Sequence, residues 1–125
     1  MKIAGILTIG LIGIIILVIG AYFLVEAFSG PAELDGFAQC LKDKGAIFYG
    51  AFWCPHCQKQ KEMFGRSVKY LNYVECSTPD GKSQLAFCKE KDITGYPTWV
   101  FIDGSRKTGE IPLKELAEKT QCSLP

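Results

Sequence analysis

The sequence predicts an α/β domain, with a central mixed sheet and flanking helices, preceded by one transmembrane helix. Two observations predict this class. The 23 residues from Ile3 to Val25 carry no charge, and as a helix they would extend about 34 Å, enough to cross the hydrocarbon core of a bilayer. The rest of the chain alternates between helix-type and strand-type hydrophobic patterns, which is typical of helices packed on the faces of one sheet.

The apolar run divides the chain into a membrane anchor at residues 1–29, a linker at 30–34 and one small domain at 35–125. A cleaved signal peptide is the alternative, but the run is longer than the roughly 7–15 apolar residues of such peptides. Lys2 precedes the run and acidic residues follow it, which favours a cytoplasmic amino terminus. We therefore expect a single-pass protein of the cell membrane, attached through residues 3–25, with its domain on the exported side, periplasmic or extracellular.

The domain begins with a helix and a buried strand. Asp35 is the expected N-cap of the first helix, which ends at Gly45. The run from Ala46 to Trp53 is almost entirely apolar and aromatic, the pattern of a strand buried on both faces. Cys54-Pro55-His56-Cys57 follows directly and opens a second helix, which we expect to be bent or broken at Gly65.

The second half of the domain supplies the remaining strands. Leu71 to Cys76 predicts a strand parallel to the first, because a helix crosses between them. Ser83 is the expected cap of a short helix. Thr98 to Ile102 and Lys107 to Ile111 flank a turn and predict an antiparallel hairpin. Pro112 suits the first turn of a final helix.

Charge and cysteine content narrow the function classes. The net charge is +1, and no basic excess or basic face is visible, so the sequence does not predict a nucleic-acid binder. Six cysteines in so short a chain are typical of an oxidising compartment. Six cysteines allow 15 pairings, so their connectivity must be argued from their positions in the fold.

The Cys-x-x-Cys pattern is the candidate reactive site. Two intervening residues bring the sulfurs of Cys54 and Cys57 within bonding reach across the first helical turn. The first sulfur would lie at the positive end of the helix dipole, which stabilises thiolate over thiol. Pro55 fits the first turn without loss of a hydrogen bond. His56 can stabilise the Cys54 thiolate, which would make the disulfide oxidising.

These residues carry a family resemblance. Phe52-Trp53-Cys54-Pro55-His56-Cys57 together with Gly95-Tyr96-Pro97-Thr98 resembles the thioredoxin superfamily, and Cys-Pro-His-Cys is the motif of DsbA-like thiol oxidases. Over residues 35–125 the chain is most similar to the thioredoxin-like domains that partner, or are fused to, bacterial vitamin K epoxide reductase homologues. The resemblance implies a thioredoxin-like fold. It does not extend to the four-helix quinone-reducing domain, which this sequence does not contain.

The resemblance also implies roles for individual residues. Cys54 is the expected attacking nucleophile and Cys57 the resolving thiol, while Pro97 is expected to follow a cis peptide bond beside them. The backbone of Tyr96 is expected to pair with an extended substrate segment. Trp53 is expected to pack and to shape the rim of the site.

One position departs from the family pattern. Many thioredoxins carry a buried carboxylate six residues before the first cysteine, and this chain has Phe48 there. The proton acceptor for Cys57 is therefore open, with water as the default and Glu75 as a weakly supported alternative. The charged residues of the helix after the motif are interpreted as a solvated face: Lys59, Lys61 and Glu62.

The other four cysteines are interpreted as structural. We predict Cys76–Cys88, which closes a loop of about 13 residues, and Cys40–Cys122, which ties the first helix to the end of the last. The alternative is that one of these pairs exchanges electrons with Cys54–Cys57. Two further alternatives for Cys54 and Cys57 are a structural disulfide and half of a zinc site with Cys76 and Cys88; we expect neither a metal nor a cofactor.

The leading functional prediction is a membrane-anchored thiol:disulfide oxidoreductase that oxidises cysteine pairs in exported proteins. The resemblance implies that a quinone-linked membrane partner of the vitamin K epoxide reductase type reoxidises it. One alternative is a disulfide reductase or isomerase that receives electrons from the cytoplasm. Another is a non-catalytic, membrane-tethered adaptor that binds extended peptides near Pro97.

Overall fold

The computed structural model describes the backbone of residues 2–29 and 32–125, and the side chains of residues 10–25 and 32–125. Helix α1, Lys2–Ser29, belongs to a first compact unit at residues 1–31, and residues 32–125 form the second. The start of the predicted linker, residues 30 and 31, lies outside the described residues.

The predicted transmembrane helix is not found. Crossing a bilayer takes about 20 consecutive, predominantly apolar residues, and no helix among the residues whose side chains the structure describes, 10–25 and 32–125, is long and apolar enough to do so. The predicted single-pass location, with residues 35–125 on the exported side, depended on that helix and is corrected with it, while the membrane attachment through residues 3–25 stays a prediction.

The second unit is a four-stranded mixed sheet with flanking helices, which confirms the predicted α/β class. The elements are, in chain order, α2 Asp35–Asp43, β1 Ile47–Gly50, α3 Pro55–Phe64, a 3-10 helix Gly65–Tyr70, β2 Tyr73–Glu75, α4 Ala86–Glu90, β3 Thr98–Val100, β4 Arg106–Thr108 and α5 Leu113–Thr120. The strands lie in the order β2-β1-β3-β4, with β1 parallel to β2 and antiparallel to β3, and β3 antiparallel to β4.

Several ends differ from the sequence-based expectation. The N-cap of α2 is Leu34 rather than Asp35; the Asp35 carboxylate instead accepts hydrogen bonds from the backbone of Ala32 and from the Ser67 hydroxyl, at 2.9 and 2.8 Å. Helix α4 begins after Leu85, so Ser83 does not cap it. A tertiary partner engages the Asp35 carboxylate, because Ser67 is remote from Asp35 in sequence.

The buried core packs against strand β1, which precedes the Cys-x-x-Cys motif. Phe48 is fully buried, stacked on Trp99 at 5.0 Å between ring centroids and edge-on to Tyr73 at 5.1 Å. An aromatic cluster therefore fills the position where many thioredoxins place a carboxylate. Strand β1 leads from this cluster directly into the turn that presents Cys54.

Two disulfides link outlying segments to the second unit. Cys40 of α2 is bonded to Cys122, which follows α5. Cys76, just after β2, is bonded to Cys88 of α4. Because Cys76 and Cys88 are bonded to each other, they are not available as zinc ligands beside Cys54 and Cys57.

Candidate active site

The two remaining cysteines are free and lie at the start of α3. Cys54 is the N-cap residue, and its sulfur accepts a hydrogen bond from the backbone N–H of Cys57 at 3.2 Å. Pro55 is the first helical residue, where its missing N–H leaves no gap in the helix. Both cysteine side chains are buried. The start of the helix therefore brings the two cysteines close together, and the backbone N–H of Cys57 points at the sulfur of Cys54.

A loop before β3 covers the sulfur of Cys54. The Tyr96–Pro97 peptide bond is cis, and the Cys54 thiol donates to the carbonyl oxygen of Tyr96 at 3.7 Å. The Trp53 ring is half exposed and meets the Tyr96 ring edge-on, with centroids 6.0 Å apart. These residues, all predicted as site residues, form one rim around the cysteine pair.

His56 lies on the exposed side of the site, and its Nδ1 is 2.6 Å from Oε1 of Glu110. Gln60 of α3 holds the segment that carries Glu110 through hydrogen bonds to the neighbouring residue, Ile111. The fully buried Gln60 amide donates to the Ile111 carbonyl at 3.0 Å and accepts from the Ile111 N–H at 2.7 Å. The helix of the Cys-x-x-Cys motif therefore also positions the acidic partner of His56.

Burial gives Cys57 a distinct chemistry. The pKa of the Cys57 thiol is raised from 9.0 to about 12, mainly by desolvation and then by the hydrogen bond with Cys54, while the charge of Lys61 opposes the rise. At neutral pH Cys57 is therefore a protonated thiol, and it needs a proton acceptor before it can attack a disulfide.

Tyr73 and Glu75 of β2 lie beside the cysteine pair. The Tyr73 hydroxyl donates to Oε2 of Glu75 at 2.7 Å. Oε1 of the same carboxylate accepts from the backbone N–H of Phe52 at 3.2 Å and of Ser77 at 2.9 Å. Lys61 is half-buried, with its amine 3.6 Å from the centre of the Tyr73 ring, so its interpretation as part of a solvated face is wrong.

Gly50, the last residue of β1, permits the close approach of these groups. A Cβ on Gly50 would lie 2.9 Å from Cε2 of Tyr73 and 3.1 Å from the sulfur of Cys57. Gly50→Ala is therefore expected to lower the free energy of unfolding by about 1–3 kcal/mol, because it overpacks the site. Urea unfolding of the reduced protein measures this loss. Gly36→Ala is the matched control, since nothing lies within 4 Å of a Cβ there; an equal loss in both variants would contradict the packing argument.

Sequence reasoning missed three residues of the site. Gln60 reads as an ordinary polar helix residue, Glu110 follows a short strand, and Tyr73 belongs to a strand pattern. Their partners are distant along the chain, and no local pattern predicts such pairs. The sequence did point to one further residue of the site. With Phe48 in place of an acid, Cys57 requires another proton acceptor, and Glu75 is the acidic candidate in the sequence.

Comparisons with known proteins agree with this geometry. A family model described as thioredoxin matches residues 29–121. The chain is also similar to thiol-disulfide oxidoreductase LTO1 of Arabidopsis thaliana, with 48% identity over 109 residues, which are 82% of this chain and 28% of that protein. The chain thus spans less than a third of the length of this relative. The chain belongs to the thioredoxin family.

Proposed function

We propose that this protein oxidises pairs of cysteines in other proteins through a Cys54–Cys57 redox disulfide. The observation that carries the proposal is the pair of free cysteines at the start of α3, with the Cys54 sulfur directed at the Tyr96 carbonyl beside the cis bond to Pro97. A substrate segment lying along this loop would bring its cysteine to Cys54. Cys54 is the nucleophilic centre, because the other sulfur is fully buried.

The exchange proceeds in two balanced steps. A substrate thiolate attacks the sulfur of Cys54 in the disulfide form, the Cys54–Cys57 bond breaks, and Cys57 leaves as a thiolate that takes up a proton. A second substrate thiolate then attacks the substrate sulfur of the mixed disulfide and releases Cys54 as a thiolate. The substrate has lost two electrons and the protein has gained them.

We further propose that the substrates are exported proteins with cysteine pairs and that a quinone-linked membrane protein of the vitamin K epoxide reductase type reoxidises this domain. The first proposal is supported by the two other disulfides, which persist in oxidising compartments. The second is supported by the resemblance of residues 35–125 to domains that partner such reductases. Phe52 and Trp53, both half exposed beside Cys54, offer an apolar contact for such a partner.

Trapping tests the proposal. Cys57→Ser lacks the resolving thiol, so it is expected to accumulate mixed disulfides through Cys54, which non-reducing gels and mass spectrometry identify. The matched control is Cys54→Ser, which is expected to trap nothing because its remaining thiol is fully buried. Equal trapping by both variants, or by neither, would overturn the role of Cys54.

The captured proteins and the reduction potential decide the direction of electron flow. A potential near about −120 to −180 mV supports oxidation of substrates, whereas one near about −270 mV, as in thioredoxin, supports a reductase. An adaptor that binds peptides without chemistry would keep its function in Cys54→Ser. That result would contradict the proposal.

A further inference from the structure

The proposed exchange leaves one requirement unmet. When Cys57 attacks a mixed disulfide on Cys54, it must lose a proton, and burial holds the pKa of its thiol at about 12. The position that holds a carboxylate in many thioredoxins is Phe48, packed between Trp99 and Tyr73. A proton acceptor must therefore come from another part of the site.

Strand β2 brings a hydroxyl and a carboxylate to the buried sulfur. The sulfur of Cys57 and the hydroxyl of Tyr73 lie 3.1 and 3.3 Å from the same point, the position of a Cβ on Gly50. Both atoms thus border the same point beside Gly50. The hydroxyl donates onward to Oε2 of Glu75 at 2.7 Å. This arrangement places a hydroxyl between the buried sulfur and a half-buried carboxylate.

We propose that Tyr73 and Glu75 form the proton relay of Cys57, an inference that rests on the proposed redox function. In the step, the sulfur electron pair of Cys57 forms the new bond to Cys54, the bond from Cys54 to the partner sulfur breaks, and the partner leaves as a thiolate. The Cys57 proton passes to the Tyr73 oxygen, directly or through water, while the Tyr73 proton passes to Glu75. In the reverse direction the same groups protonate the departing Cys57.

The surroundings of Tyr73 favour a neutral phenol that passes a proton on, rather than a phenolate that keeps a negative charge. Burial, followed by the hydrogen bond to Glu75, raises the pKa of Tyr73 above its ordinary value, so the phenol stays neutral and passes a proton only as it gains one. The other titratable groups that interact with Cys57 are Cys54, Lys61 and Tyr96. Lys61 lies over the Tyr73 ring, where its charge favours the anionic form of Cys57 without providing a lone pair for the proton.

The two backbone hydrogen bonds to Glu75 explain how the acceptor keeps its place. The N–H groups of Phe52 and Ser77 both bind Oε1, which leaves Oε2 facing the Tyr73 hydroxyl. Glu75→Gln can retain an acceptor for both N–H groups while removing the carboxylate. Tyr73→Phe retains the ring that contacts Phe48 and Lys61 while removing the hydroxyl. These two substitutions separate proton transfer from packing.

The test uses the reduced full chain and the aromatic disulfide 5,5′-dithiobis(2-nitrobenzoate) in stopped flow. The first release of coloured thiolate reports attack by Cys54, and the second reports attack by Cys57 on the mixed disulfide. Tyr73→Phe and Glu75→Gln are expected to slow the second phase by about 100-fold at neutral pH, the lower range of general-base effects, and to leave the first phase within about 2-fold. Tyr70→Phe, a half-buried tyrosine on the 3-10 helix, is the control and is expected to slow neither phase.

The pH profile distinguishes a relay from a structural role. In the wild type the second phase should change little between about pH 6.5 and 8.5, because the proton goes to a fixed acceptor. In both variants its rate should rise about tenfold per pH unit, because hydroxide must remove the proton. An unchanged second phase, or a slower one with an unchanged pH slope, overturns the relay. Absence of the first phase in the wild type would instead overturn the proposed redox function.

Discussion

Replacing Cys40 and Cys122 together by alanine is expected to lower the free energy of unfolding by about 4.5 kcal/mol. Their disulfide joins residues 82 apart in sequence and so restricts most of the unfolded second unit. The chain-entropy penalty grows with the logarithm of the loop length. Guanidinium unfolding of the oxidised wild type and of the double variant measures the difference.

The second disulfide provides the comparison. Cys76 and Cys88 are only 12 apart in sequence, so their replacement by alanine is expected to cost about 3 kcal/mol. A loss for this pair equal to or greater than that for Cys40 and Cys122 would contradict the loop-length argument.

Both disulfides are also expected to resist mild reduction that opens Cys54–Cys57. If mass-spectrometric mapping finds either one open as readily, its structural role is wrong and electron exchange with the active pair gains support.

Gln60→Ala is expected to lower the free energy of unfolding by about 3 kcal/mol. Gln60 is fully buried and satisfies both the N–H and the carbonyl of Ile111. Its removal leaves two buried backbone groups unpaired, at about 1–3 kcal/mol each, although relaxation or water entry recovers part of this. Urea unfolding measures the loss, and the local effect should reach Glu110, whose contact with His56 depends on the same segment.

Gln39→Ala is the control for this prediction, because Gln39 is exposed on α2 and alanine is the better helix former. Its unfolding free energy should stay within about 0.5 kcal/mol of the wild type. The NMR chemical shifts of the ring of His56, the only histidine, offer a second measurement, because its Nδ1 lies 2.6 Å from Glu110: they should change in Gln60→Ala and not in Gln39→Ala. Unchanged chemical shifts of His56 in Gln60→Ala would contradict the claim that Gln60 positions Glu110.

Local patterns predicted the elements that carry the site. The apolar run before Cys54 is the central strand β1, the Cys-x-x-Cys motif opens α3, and the run beginning at Thr98 is β3. These features are encoded in neighbouring residues, through hydrophobic periodicity, helix starts and turn residues. The ends were less accurate: β1 stops at Gly50 rather than at Trp53, because residues 51–53 turn to present Cys54.

The predicted single-pass membrane location is the expectation that the findings contradict. The uncharged run from Ile3 predicted a transmembrane helix and, through it, a location, whereas no helix within the described residues is long and apolar enough to cross a membrane. The predicted cellular location changed with the predicted helix, because it depended on residues 3–25. The assignment of thiol:disulfide chemistry depended on other residues and did not change.

The sequence by itself determined the α/β class, the order of the strands along the chain and the place of the candidate cysteine pair at the start of α3, because each depends on residues close together in the chain. Only the tertiary structure decided which distant side chains meet there. Tyr73 and the sulfur of Cys57 both lie against Gly50, Glu110 meets His56, and Gln60 binds Ile111. Contacts of this kind depend on how strands and helices pack in three dimensions, and no periodicity along one segment records them.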